Sequence, residues 1–116
     1  MSSSHYKLDN LCAIIDYNKI QENGPVNDIK KLEPLKDKWV SFGWHVIEVD
    51  GHNFSELLPA LDEFTATKQK PTVIIAHTIK GKGISFMEGQ SRWHGKAPNE
   101  EQLKEALAEL ENGDKD

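Results

Sequence analysis

Apolar residues gather in three short runs, "LCAIID" (11–16), "WHVIEVD" (44–50) and "TVIIAHT" (72–78), each rich in residues that favour strands. The first and third are almost continuous, as in strands covered on both faces. Elsewhere the apolar period lengthens to that of a helix. "PLKDKWVSFG" sets Leu35, Trp39 and Phe42 on one side, behind Pro34 and ahead of Gly43, the usual order of helix start and stop. "NFSELLPALDEFTATK" has Asn53 and Glu56 as a capping-box-like pair and lines up Leu57, Leu58, Leu61 and Phe64. Pro59 is tolerable there if the helix starts near Ser55. "NEEQLKEALAEL" has Asn99 as a cap and Leu103, Ala106, Leu107 and Leu110 on one face, after which "ENGDKD" is expected to fray.

Strands alternating with helices, over connections long enough for crossovers, predict an α/β fold. The expected architecture is a small parallel β-sheet of about three strands with flanking helices in three layers, joined by right-handed βαβ units. A single domain over residues 1–116 is expected. The first strand is as apolar as the third, and so reads as an edge that expects a further neighbour.

Composition narrows the class. An apolar fraction of 37% and a charged fraction of 28% suit a soluble globular chain. No run approaches a membrane span, and the start "MSSSHYKLDN" has no apolar signal core, so the cytoplasm is the expected compartment. The lone Cys12 reads as a small buried hydrophobe. A net charge of −5, much of it from Glu100 onward, argues against nucleic acid or an anionic membrane as partner. Outside that segment charge is near balance, which leaves room for an anionic ligand.

Two polar stretches follow strand ends, where open α/β sheets bind ligands. In "DYNKIQENGP", the Asn18 carboxamide oxygen and the Ile20 carbonyl can both reach one Mg²⁺, and Asp16 is a candidate carboxylate. From spacing alone, a strand end with a surface turn is the simpler reading. The second stretch, "IKGKGISFMEGQSRWHGKAP" (79–98), has no sustained period, and a structureless connection of that length is usually functional or disordered. Lys80, Lys82 and the glycines of "KGKG" suit a phosphate, and equally a flexible basic loop. His94 suits proton transfer or anion binding, and equally a structural role. His45 is assigned to strand packing and His52 to the turn before a helix.

"LDNLCAIIDYNKIQENGP", "FGWHVIEVDGHNFSELLPAL", "KPTVIIAHTIKGKGISFMEG" and "RWHGKAPNEEQLKEAL" resemble, in order and spacing, the thiamine-diphosphate-binding part of transketolases. The related deoxyxylulose-phosphate synthases share a KGKG-type loop, but "DYNKIQ" and "WHGKAP" are closer to transketolase. The resemblance implies thiamine diphosphate and Mg²⁺ as cofactors and transfer of a two-carbon ketol unit between sugar phosphates. It implies metal ligation by Asn18 and Ile20, cofactor binding by these with Lys80 and His94, and catalysis by His94. The family's Gly-Asp-Gly half of the metal motif does not occur before Leu11, and the glutamate that activates the aminopyrimidine comes from another part of the enzyme. The expectation is therefore a partial cofactor-binding fold, inactive alone, with three further readings of its role. It is a fragment, a component of a split transketolase that needs a complementing chain, or a non-catalytic module. A module of that kind would use self-association or partner pairing through its exposed sheet edge.

Overall fold

The computed structural model describes residues 1–113; the expected fraying of the tail falls partly on 114–116, which lie outside the described residues. In chain order the elements are α1 (Ser2–His5), β1 (Cys12–Tyr17), β2 (Ile20–Gln21), β3 (Gly24–Pro25), α2 (Val26–Ile29), α3 (Leu35–Ser41), β4 (His45–Asp50), α4 (Phe54–Ala66), β5 (Thr72–His77), a 3₁₀ turn (Ser91–Trp93) and α5 (Glu100–Gly113). They fall into two compact units, Met1–Tyr17 with Leu32–Thr78, and Asn18–Lys31 with Ile79 onward.

The first unit holds a three-stranded sheet of order β1-β5-β4, parallel throughout, with flanking helices: the expected α/β fold. The central β5 is buried nearly end to end, and Ile74 packs with Val49, Ala60 and Ala76 into the core. Its continuous apolar run therefore has the predicted cause. β1 differs. Among the described residues it pairs only with β5, and Ile14 stays 61% exposed, so its apolar run is not covered on both faces here. Cys12 packs against the same core, and burial pushes its thiol up.

Local signals explain the helix ends. The left-handed Gly43 (φ 81°) closes α3 as its N–H meets the Val40 carbonyl at 2.9 Å. Asn53 Oδ1 accepts the Ser55 N–H at 2.9 Å as the predicted cap, whereas Glu56 accepts the Asp50 N–H at 2.8 Å and the Asn53 N–H goes to the Asp50 carbonyl, so the reciprocal capping box is not formed. Pro59 lies within α4 rather than in its first turn, because the helix begins at Phe54. The cost is one missing bond, to the exposed Ser55 carbonyl. The buried stripe of α4 is also narrower than predicted: Leu57, Ala60 and Phe64 turn inward, while Leu58 is 60% exposed. His45, assigned to packing, ties β4 to α4 by a 2.6 Å hydrogen bond to Glu63. His52 occupies the expected turn, its N–H donating to Asp50 Oδ1 at 2.9 Å.

The second unit begins with the β2–β3 hairpin and α2, where the sequence promised only a polar turn. Asn99 and Gln102 cap α5 reciprocally, at 3.0 and 2.9 Å. The helix runs to Gly113, three residues beyond the predicted end at Leu110. Of its predicted face only Ala106 is buried; Leu103, Leu107 and Leu110 remain exposed.

Candidate functional site

The four residues singled out from sequence, Asn18, Ile20, Lys80 and His94, all belong to the second unit. Asn18 Oδ1 accepts the Ile20 N–H at 3.0 Å across Lys19, which sits in the left-handed region at φ 62°. The Lys19 carbonyl is taken by the Val26 N–H at 2.9 Å. That bond makes Ile20 and Pro25 a non-hydrogen-bonded pair of the antiparallel hairpin, so the Ile20 carbonyl takes no part in the β2–β3 ladder. The hairpin thus fixes both donor oxygens on one short turn and leaves each with acceptor capacity.

Both oxygens are neutral. They suit a hard cation such as Mg²⁺ in kind, provided ligand phosphates or waters complete its octahedron. Among the described residues no group of three or more His, Cys, Asp or Glu is placed to hold a metal ion. Asp16, the candidate carboxylate, belongs to the sheet unit and accepts a hydrogen bond from the Thr78 hydroxyl.

The KGKG segment is a closed loop rather than a slack one. The Gly89 N–H donates to the Lys80 carbonyl at 2.9 Å, and the Lys82 N–H to Ile79 at 3.2 Å. Gly81 (φ 73°) is required twice over, since a Cβ there would lie 2.7 Å from the Met87 carbonyl oxygen. A second brace comes from α5. Glu109 accepts the Ser85 N–H at 2.5 Å and the Ser85 hydroxyl at 2.7 Å, and these bonds hold its carboxyl below the usual range.

The two lysines of the loop differ. Lys82 Nζ lies 3.7 Å from Glu88 Oε1, and the same oxygen accepts the Gly83 N–H at 3.0 Å. Lys80 is half-buried and in no ion pair among the described residues. Glu88 was not legible as a site residue; "FMEG" gave no more signal than any acid near a basic pair. His94 is exposed just past the 3₁₀ turn, its N–H donating to Ser91 at 2.9 Å. Trp93 Nε1 donates to the Phe86 carbonyl at 3.1 Å, which anchors that turn to the loop.

A parallel sheet with this hairpin and this glycine-lysine loop defines a cofactor-binding α/β chain of the transketolase type. The chain belongs to the family described as "Transketolase, thiamine diphosphate binding domain", whose model matches residues 2–113. It is 42% identical over 110 residues to one of the subunits of the apulose-4-phosphate transketolase of Phocaeicola vulgatus, covering 95% of this chain and 39% of that one. It is 49% identical over 105 residues to the 6-deoxy-6-sulfo-D-fructose transketolase subunit SqwG of Clostridium sp., covering 90% and 38%. The crystal structure of transketolase from Campylobacter jejuni superposes with a TM-score of 0.85 at 33% identity, over 94% of this chain and 17% of that one. The chain thus spans about two-fifths of the length of these two curated relatives.

Proposed function

We propose that the chain is part of the cofactor-binding subunit of a thiamine-diphosphate-dependent transketolase, active only together with a complementing chain. The observation that supports this most is the Asn18–Val26 hairpin, in which Ile20 and Pro25 form a non-hydrogen-bonded pair that keeps the Ile20 carbonyl out of the ladder while Asn18 Oδ1 accepts the Ile20 N–H. In this reading Asn18 Oδ1 and the Ile20 carbonyl hold Mg²⁺, and Lys80 faces the diphosphate oxygens. When bound, thiamine diphosphate supplies the nucleophilic carbon that takes up the two-carbon unit. His94, exposed at the loop's far end, holds or moves a proton at the substrate hydroxyl. The substrates are anionic sugars, in keeping with the sugar phosphate and the sulfo-sugar for which the two relatives are named.

Two neutral oxygens hold a strongly hydrated ion weakly, so a carboxylate from outside residues 1–116 completes the metal shell. Both relatives are themselves named as subunits, which supports a complementing chain. The unpaired edge of β1, with Ile14 exposed, suits strand addition from such a partner. Nucleic acid and membrane have no part in this reading, and its compartment is the cytoplasm. No described helix is long and apolar enough to cross a membrane.

The test is an assay of ketol transfer with thiamine diphosphate and Mg²⁺, using the chain alone and mixed with a second chain carrying the remainder of a transketolase. Activity only in the mixture, falling about 100-fold or more in His94→Ala, is the expected result. Activity without a partner, or a mixture indifferent to this chain, contradicts the reading.

A further inference from the structure

The loop Ile79–Gly89 contains two cations and one anion, and the anion has a position of its own. Glu88 is not a loose surface acid. One of its oxygens receives the Gly83 N–H at 3.0 Å and lies 3.7 Å from Lys82 Nζ. A backbone N–H of a left-handed glycine beside a lysine ammonium is the pair of donors that a phosphate oxygen seeks. Here a carboxylate already has them. Its place is set by the Gly89–Lys80 bond and by the Met87 backbone lying against Gly81, so the chain brings its own anion to the loop.

We infer that Glu88 is an internal counter-anion that closes the Lys82–Gly83 half of the loop to phosphate, leaving Lys80 as its anion-facing cation. This deepens the transketolase reading, because it makes Glu88 a specificity-determining residue for how many oxyanions the loop accepts. A diphosphate approaching Lys82 must displace the Glu88 carboxylate or sit beside its charge. Lys80, by contrast, is in no ion pair with Glu88 among the described residues. The pair is half-exposed, so the effect is moderate: at this separation in a water-rich setting, one unit charge changes anion affinity by about three- to tenfold.

The experiment titrates the full chain with Mg²⁺-free inorganic pyrophosphate, followed by amide NMR. Glu88→Gln keeps an acceptor for Gly83 and removes only the charge. It is expected to bind pyrophosphate about three- to tenfold more tightly than wild type, with new saturable shifts at Lys82 and Gly83. Lys82→Gln is expected to bind within about twofold of wild type, whereas Lys80→Gln loses binding. Unchanged or weaker binding by Glu88→Gln overturns the inference, as does a loss in Lys82→Gln equal to that in Lys80→Gln. Should Glu88→Gln not fold, the lysine comparison decides alone. The probe contains neither thiamine nor metal, so a failure of the transketolase reading leaves this result standing. A failure here leaves the roles of Asn18 and His94 untouched.

Discussion

Thr72 sits at the start of the central strand with 0% of its surface exposed, and its hydroxyl has no hydrogen-bond partner among the described residues. Its backbone is satisfied, since the N–H donates to the Leu11 carbonyl at 3.0 Å. The side chain alone carries the cost, about 1–3 kcal/mol for a buried hydroxyl without a partner. Thr72→Val keeps the branched shape and β-preference while deleting that hydroxyl. It is expected to stabilise the chain by about 1 kcal/mol, read as a higher urea midpoint at unchanged slope. A lower midpoint would mean that the hydroxyl does have a partner in solution.

At the scale of elements, β1 ends in a clasp. The buried Tyr17 donates its hydroxyl to Glu33 Oε1 at 2.7 Å, and Glu33 Oε2 accepts the Leu35 N–H at 2.9 Å at the start of α3. The Glu33 bond, then burial, then the Glu33 charge push the Tyr17 phenol up from 10.0 to about 12. The folded chain therefore keeps a proton that the unfolded chain releases first. Stability from this clasp is full below pH 10.0 and falls as pH rises toward about 12. On the acid side, the Leu35 N–H and then the Tyr17 hydroxyl hold the Glu33 carboxyl low. That contribution is present above the ordinary carboxylate value and is lost as pH falls below it, through the lowered value of the folded chain. Thermal unfolding across pH is expected to show a shallower alkaline decline in Tyr17→Phe than in wild type; identical declines would count against the clasp.

The sequence made the regular elements of the sheet unit plain. Run length and β-branching placed β1, β4 and β5 within a residue or so, and Asn53, Asn99 and Gly43 marked helix ends by capping chemistry that acts locally. Helix faces were less legible. Leu58 and Leu107 have the right period but too little neighbouring structure to cover them. The β2–β3 hairpin escaped notice because each strand is only two residues long, below any readable period. Of the site, the donor types at Asn18 and Lys80 were visible. The Glu88 carboxylate was not, because its role depends on a backbone N–H brought near by loop closure.

For the whole molecule, exposed apolar residues and an open sheet edge go together with a chain that spans about two-fifths of these two relatives. Ile14 on β1 and Leu103, Leu107 and Leu110 on α5 are surfaces an obligate partner or further chain would cover. The central claim is that the chain nonetheless carries a real half-site for a metal diphosphate. An amide NMR titration with thiamine diphosphate plus Mg²⁺, run beside each component alone, tests this directly. Saturable shifts at Asn18–Gln21, Lys80–Gly83 and His94 that need both components, and that Asn18→Ala abolishes, are the predicted result. A well-dispersed spectrum that does not move at millimolar ligand would contradict it.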